Sequence, residues 1–289
     1  MTFSLVARDP ETGDLGVAVQ SKFLAVGAVV PWAKAGVGAI ATQAWANTTY
    51  GPRGLDALAR GKSPEETLDL LTSGDEQANR RQVGIVTARG QSATFTGHDC
   101  NAWAGGIAGP NFAAQGNILV SEATVTALAT SFEQSRGPLW RRLVAALAAA
   151  QAAGGDSRGQ QSAALLIVRP SGGYGGFNDR MMDLRVDDHP QPIEELARLV
   201  EIHELLFLRP EPDDFIAIDA SVASELQRLL AASGDYTGES TGTYDEATYA
   251  ALESYGGREN LEERLVHDAS DARIDRHVLA YMRAHVPAR

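Results

Sequence analysis

The sequence predicts an α+β protein in which antiparallel strands and helices pack in layers. Two observations support this class. Strands recur as hairpins, beginning with residues 2–8 and 15–20 around a turn at 9–14 that contains Pro10 and Gly13. Pairs of amphipathic helical segments follow the hairpins. Hairpins flanked by helix pairs favour a layered sandwich over a doubly wound parallel sheet, in which single strands and helices alternate.

The remaining elements of the first 208 residues follow from periodicity and from start and stop signals. Residues 54–60 and 63–71 are predicted helices, and the second begins with Ser63, Pro64 and Glu66, which suit the N-cap, N1 and N3 positions. The other predicted strands are 23–32, 37–42, 82–87, 91–96, 112–119, 162–168 and 179–186, and the other predicted helices are 121–133, 138–152 and 192–208.

Composition excludes several classes of protein. With 289 residues and 44% hydrophobic content the chain can bury a substantial core. Its net charge of −12 argues against a nucleic-acid partner, which needs a basic face. Apolar runs fall short of the roughly 20 residues of a membrane helix, and the charges at Arg8 and Asp9 do not suit a signal peptide. We therefore expect a cytoplasmic protein without membrane contact, in agreement with its single cysteine, Cys100.

A change in charge indicates a domain boundary. From residue 209 onward the chain has 16 acidic and 8 basic residues, whereas residues 1–208 have 21 and 17. The segment 209–214 (RPEPDD) is typical of a short, stiff linker. We therefore predict one domain over residues 1–208 and a second, smaller one over 209–289.

Thr2 is the first candidate for chemistry. If Met1 is removed, Thr2 carries a free α-amino group with a pKa of about 8, next to its own hydroxyl. A hydroxyl beside a built-in base is one form of activated nucleophile. Ser4 lies on the same face of the predicted strand and is the second choice. The alternative for both residues is a structural role at the edge of a core.

The opening of the chain resembles the N-terminal-nucleophile (Ntn) hydrolases, which include the proteasome β-subunits. More narrowly, segments 2–9 (TFSLVARD), 25–34 (AVGAVVPWAK) and 41–47 (ATQAWAN) resemble the bacterial DUF1028 family over about residues 1–208. This resemblance implies a four-layer αββα sandwich, Thr2 as nucleophile, no metal or organic cofactor, and a homo-oligomer by analogy with the proteasome.

The resemblance also implies a lysine that keeps the site positive and favours the nucleophilic form of Thr2. Lys34 follows Thr2 by 32 positions, which is the spacing in that superfamily. Lys22, at the end of the second strand, is the competing candidate. The sequence departs from proteasome-like relatives at Gln20, where they carry an aspartate, so an acidic partner must come from elsewhere.

Polar residues near predicted strand ends are candidates for the rest of the site. Gln43, Asn47 and Asn117 have amide groups that can bind an oxyanion or a substrate amide, although Asn47 equally suits a helix cap. Asp156 is a candidate acidic partner. Arg158 can clamp a substrate carboxylate, and the alternative for this pair is an ion pair within a loop. The six histidines lack metal-binding spacing, and Cys100 is interpreted as a buried structural residue.

The C-terminal segment predicts a small helical module. Residues 226–230 (LQRLL), 234–238 (GDYTG) and 242–252 (GTYDEATYAAL) resemble a family of peptidoglycan-binding domains. The resemblance implies a muropeptide ligand. Two hypotheses result: an Ntn-type amidohydrolase that acts on a small amide or peptide through Thr2, or a non-catalytic protein that binds peptide or glycan fragments of the cell wall.

Overall fold

The computed structural model describes residues 2–287, which divide into two compact units with the boundary between Val200 and Glu201. Within the described part of the first unit, one sheet has six antiparallel strands. These are β1 (Thr2–Arg8), β2 (Leu15–Ser21), β7 (Gly105–Gly109), β8 (Phe112–Asn117), β9 (Ser162–Val168) and β10 (Arg180–Val186). Their order is β10-β9-β2-β1-β8-β7, so the N-terminal strand lies in the interior of the sheet.

The second sheet of this unit has the order β3-β4-β5-β6. Its strands are β3 (Pro31–Lys34), β4 (Gly38–Ala44), β5 (Arg81–Thr87) and β6 (Ser92–Thr96). The outer layers are formed by α1 (Tyr50–Ala59), α2 (Pro64–Thr72), α3 (Ala123–Gln134) and α4 (Leu139–Ala152). The sheets face each other, α1 and α2 cover the second sheet, and α3 and α4 cover the first. The predicted α+β class is confirmed, and the layers have the order αββα.

Alternation of side chains explains why β1 and β2 are buried on both faces. Val6, Val17 and Val19 point into the core between the two sheets. The intervening positions face the helices, since a Cβ atom at Gly16 would lie 2.7 Å from a methyl group of Leu143 on α4. A strand covered on both sides reads as a continuous apolar run, as the N-terminal hairpin does.

One predicted strand is wrong. Residues 23–30 form an irregular segment with a short 3₁₀ helix at Val26–Ala28, and extended structure begins only at Pro31. Ser162 holds this segment, because its hydroxyl accepts a hydrogen bond from Val26 N (3.1 Å) and donates one to Phe23 O. The chain therefore leaves the first sheet through a loop before it enters the second.

The second unit has a small helical core. Its elements are β11 (Phe215–Ala217), α6 (Ala220–Ser233), α7 (Glu246–Glu259), β12 (Arg273–Asp275) and α8 (Arg276–His285). Leu226, Leu230 and Met282 are buried at its centre. Asp245 caps α7 by accepting a hydrogen bond from Thr248 N (2.9 Å).

Helix α5 (Pro192–Phe207) contains the residues at which the two units divide. Leu205 and Leu206, near its end, pack against the core of the second unit. Composition cannot detect this division, since the charge changes only after the helix. The predicted domain boundary between residues 208 and 209 lies just after the end of α5 at Phe207. It stays a prediction.

Candidate functional site

A cleft of about 510 Å³ opens where β1, β2, β4 and β8 begin or end. It is large enough for a small molecule or a short peptide. One part of its lining comes from the irregular segment after β2, and the rest comes from strand ends and loops. The lining residues are Thr2, Ser21, Phe23, Val26, Val29, Val30, Gln43, Ala44, Trp45, Ala46, Arg80, Asp99, Cys100, Asn101, Asn117, Ile118 and Arg158.

Thr2 lies in this lining as the first residue of β1, and 7% of its surface is exposed. Strand pairing places it between Ser21 on β2 and Asn117 on β8. The hydroxyl groups of Thr2 and Ser21 are 3.0 Å apart and share a hydrogen bond. The backbone carbonyl of Thr2 accepts hydrogen bonds from Gln43 Nε2 (3.3 Å) and Asn117 Nδ2 (3.5 Å). Thr2 is therefore held on both its side chain and its backbone.

The amides of Gln43 and Asn117 belong to a buried network between the two sheets. Both donate to Oε1 of Gln82, at 2.8 Å and 2.9 Å. Gln82 in turn donates to Gly116 O at 2.7 Å. These bonds direct the amide N–H groups toward protein acceptors. Two of the three predicted oxyanion donors thus border the cleft but are engaged in positioning Thr2.

Ser4 is completely buried and lies outside the cleft lining. Its hydroxyl donates to Gln43 Oε1 (2.7 Å) and accepts from Gln115 Nε2 (2.6 Å). These contacts give it a structural role in the same network.

The structure does not bring Lys34 to Thr2. Lys34 is exposed at the end of β3 and pairs with Gly38, whereas the cleft is at the opposite end of β4, beside Gln43. The spacing of 32 positions between Thr2 and Lys34 does not predict their distance in space, because residues 23–30 form a loop before β3 starts. Lys22 is exposed as well, and its Nζ donates to Gln160 O (3.2 Å).

Asn47 lies outside the cleft lining, in the turn before α1. Its Oδ1 accepts from Thr49 N (3.1 Å), and its Nδ2 donates to Asp75 Oδ2 (3.1 Å). Asp75 also accepts from Arg81 Nε and from the Tyr50 hydroxyl, each at 2.9 Å. The hydrogen bond from Arg81 is the main cause that lowers the pKa of Asp75 well below its usual range. Burial, followed by the hydrogen bond to Asp75, raises the pKa of Tyr50 to about 12.

This ion pair supports one wall of the cleft, because Arg81 Nη1 also donates to Trp45 O. Trp45 is 60% exposed, and the Arg80 guanidinium stacks on its ring at 4.4 Å from the centroid. Both residues are in the lining, and neither is among the candidate residues predicted from the sequence.

Asp156 and Arg158 form an ion pair within a loop, which is the alternative given above for these two residues. The Asp156 carboxylate is buried and accepts from Lys22 N (2.9 Å), Arg158 N (2.8 Å) and Arg158 Nη2 (3.4 Å). Arg158 lines the cleft, whereas Asp156 lies outside the lining and binds Arg158 through two hydrogen bonds.

Cys100 is half-buried in the lining, and burial raises the pKa of its thiol. The prediction was a buried structural residue, and the structure places Cys100 at intermediate burial beside the cleft.

Two lining residues have strained backbones. Ala44 and Ile118 have φ angles of 67° and 53°, in the left-handed region that side chains with a Cβ atom rarely adopt. Each follows directly after a residue that binds the Thr2 carbonyl, Gln43 or Asn117. Backbone strain of this kind concentrates at functional sites.

Within residues 2–287, no group of three or more His, Cys, Asp or Glu side chains is arranged to hold a metal ion.

Comparison with known proteins agrees with the class that the fold defines, an α+β layered protein with a small cleft. A crystal structure of a DUF1028 protein from Silicibacter pomeroyi resembles this chain with a TM-score of 0.65 and 34% identity. The match covers 70% of this chain and 86% of that one. Residues 2–196 match the model described as "Family of unknown function (DUF1028)". The chain therefore belongs to the DUF1028 family, as the sequence motifs predict.

Residues 206–282 match a second model, described as "Putative peptidoglycan binding domain". No curated protein matches the chain. Among the described residues, every helix is too short or too polar to cross a membrane.

Proposed function

We propose that the protein is an Ntn-type amidohydrolase that cleaves a small amide or peptide with Thr2 as the nucleophile. The observation that carries the proposal is the position of Thr2. Its hydroxyl borders a cleft of small-molecule size, bonded to Ser21, while Gln43 and Asn117 hold its backbone. Groups held this firmly before the substrate arrives suit catalysis, because little reorganisation is needed during the reaction.

The α-amino group of a processed Thr2 is the proposed general base. Among the described lining residues the ionisable side chains are Arg80, Asp99, Cys100 and Arg158. Within the described part of the lining, no histidine, lysine or glutamate can take a proton near neutral pH. Removal of Met1 would supply an amine with a pKa of about 8 next to the hydroxyl. Lys34 has no part in this scheme.

The proposed reaction has two steps. Thr2 Oγ1 attacks the amide carbonyl, its proton passes to the α-amine, and the C–N bond breaks as the leaving amine receives that proton. An ester on Thr2 remains, and water hydrolyses it to a carboxylic acid and restores the hydroxyl. The side chain of Asn101, which is in the lining, is the proposed donor to the oxyanion.

The test is intact-mass analysis and N-terminal sequencing before and after reaction with a β-lactone that acylates nucleophilic hydroxyls. We expect loss of Met1 and one adduct on Thr2 in the wild type, one adduct in Thr2→Ser, and none in Thr2→Ala. Ser4→Ala should still be labelled, since Ser4 is outside the cleft. Retention of Met1, or the same labelling in Thr2→Ala, would contradict the proposal.

The match of residues 206–282 favours a second candidate function, binding of muropeptides or other peptide and glycan fragments of the cell wall. Co-sedimentation of the full chain with purified peptidoglycan sacculi tests it, with chitin as the control polymer. Binding that Thr2→Ala retains would support a recognition role independent of catalysis.

A cytoplasmic location and assembly into a homo-oligomer remain parts of the proposal. Cell fractionation and light scattering of the purified protein would test them.

A further inference from the structure

We propose that the cleft is specific for N-acyl amino acids, whose free carboxylate binds Arg158 and Arg80 and whose apolar acyl group packs on the segment after β2. This inference rests on the proposed function, since it names the class of amide that would reach Thr2.

The charges of the cleft differ from those of the whole molecule. The protein has a net charge of −12, yet the described lining has two arginines against one aspartate. That aspartate, Asp99, is exposed and lies 3.3 Å from His98 Nε2. Guanidinium groups present paired N–H donors that match the two oxygens of a carboxylate. Two guanidinium groups in the lining suit an anionic ligand, although the buried Asp156 pairs with one of them.

Arg158 is fixed on one side and exposed on the other. Asp156, whose side chain is fully buried, binds both the backbone N and the Nη2 of Arg158. The Arg158 side chain keeps 45% of its surface exposed. Because Asp156 also binds Lys22 N, this arginine is attached to the end of β2, one residue after Ser21. A carboxylate on Arg158 would therefore lie on the side of the cleft that adjoins the Thr2 and Ser21 pair.

Arg80 is oriented by Trp45 in two ways. Its guanidinium stacks on the indole ring, and its carbonyl accepts a hydrogen bond from Trp45 N (3.2 Å). Stacking on an aromatic ring leaves the N–H groups at the rim of the guanidinium able to donate in its plane. Arg80 thus adds a second cation to the lining, on the wall supported by Asp75.

Four apolar side chains of the lining belong to one segment. Phe23, Val26, Val29 and Val30 belong to the irregular stretch between β2 and β3, and Phe23 is 52% exposed. The other apolar side chains of the lining are those of Ala44, Trp45, Ala46 and Ile118. A cleft with an apolar wall and a few cationic groups selects ligands that have both characters. An acylated amino acid combines them around the amide bond that Thr2 would attack.

The test measures binding without catalysis, in a Thr2→Ala background. Cys100 is the single cysteine and lines the cleft, so a ligand in the cleft should slow its alkylation by N-ethylmaleimide, followed by intact mass at about pH 8.5. The two ligands are N-octanoylglycine and N-octanoylglycinamide, which differ only in the carboxylate. We expect the acid to protect Cys100 at a concentration about tenfold lower than the amide does.

Variants test which arginines cause the preference for N-octanoylglycine over N-octanoylglycinamide. Arg158→Gln and Arg80→Gln should each reduce the preference for the acid, whereas Arg89→Gln, which removes an exposed charge in the turn between β5 and β6, should not. Equal protection by both ligands, no protection by either, or an unchanged preference in Arg158→Gln and Arg80→Gln would overturn the inference. Failure of the catalytic proposal would appear instead as missing β-lactone labelling of Thr2, which this measurement does not use.

Discussion

At the residue scale, the hydroxyl pair of Thr2 and Ser21 is the feature closest to chemistry. Substitution of Ser21 by Ala removes the only hydrogen-bond partner shown for Thr2 Oγ1 among the described residues. We expect the rate of β-lactone labelling to fall about tenfold, because the hydroxyl loses its preferred orientation. Stability should fall by about 1 kcal/mol. Labelling kinetics by mass spectrometry and urea denaturation give the two quantities.

Ser92→Ala is the matched control for this prediction. Ser92 also has a bonded hydroxyl, which donates to Gly109 O (2.7 Å), but it lies outside the cleft. Its substitution should reduce stability by a similar amount and leave labelling unchanged. Equal labelling rates in Ser21→Ala and the wild type would show that Ser21 does not orient Thr2.

Asp75 gives a pH-dependent prediction. Its carboxylate has a lowered pKa, mainly because Arg81 donates to it. Its contribution to stability is therefore complete above the unfolded pKa of about 4 and is lost as the pH falls toward the lower folded pKa. Asp75→Asn leaves the Arg81 charge without its partner, at a cost of about 3 kcal/mol near neutral pH.

The difference in unfolding free energy between wild type and Asp75→Asn should accordingly be constant from about pH 7 to 5 and narrow below about pH 4. Urea denaturation followed by circular dichroism at each pH measures it. Asp56→Asn, which changes an exposed carboxylate on α1, serves as the control and should show no such difference. A gap that widened in acid would refute the assignment of Asp75 as the stabilising anion.

The sequence could predict some of these residues and not others. The turn at 9–14 sets the hairpin register, and that register places Ser21 opposite Thr2, so the pair could have been found by extending the strand alternation one residue further. Asp75 and Arg80 have no comparable signal, because their roles arise from contacts between distant turns. Lys34 is the opposite case. Its spacing from Thr2 along the chain suggested proximity, but the structure does not place the two residues together.

At the element scale, strong periodicity and capping signals were sufficient to predict the position of a strand or helix. Strand β9 matches its predicted range, and the capping box of Ser63 and Glu66 on α2 is present. The missed elements are short or weakly patterned: β7 (Gly105–Gly109) consists mostly of glycine and alanine, and β11 and β12 have three residues each. Such strands are stabilised by their partners rather than by their own sequence.

The packing of two cleft-wall segments depends on Gly97. A Cβ atom at this position would lie 2.3 Å from the backbone oxygen of Asn79. Gly97→Ala should therefore push apart segments 78–81 and 97–101, destabilise the fold by about 2 kcal/mol, and disturb Arg80. Gly74→Ala is the control, since a Cβ atom there would meet nothing within 4 Å, and it should be neutral or slightly stabilising. Thermal unfolding and Cys100 protection measure both effects, and equal stability of the two variants would contradict this account.

At the scale of the whole molecule, charge bears on the proposed cell-wall ligand. The segment from residue 209 onward has a net charge of −8. Several of its described arginines already contact its own carboxylates, among them Arg258 with Asp235, Arg264 with Asp275, and Arg283 with Glu225. The charge left to act at a distance is therefore negative, the same sign as the free carboxylates of peptidoglycan peptides.

This charge predicts how binding to sacculi should respond to salt. Raising the ionic strength from about 0.01 M to about 0.15 M shortens the screening length from about 30 Å to about 8 Å. If residues 209–289 bind through hydrogen bonds and apolar contacts, screening removes a repulsion, and the co-sedimented fraction of the full chain should rise with sodium chloride. The preference of the cleft for N-octanoylglycine should fall over the same range, because it depends on attraction between opposite charges. Opposite salt responses of sacculi and N-octanoylglycine would assign the two ligands to different sites. Sacculus binding that weakens with salt would instead indicate a cationic contact and place the cell-wall peptide at Arg80 and Arg158.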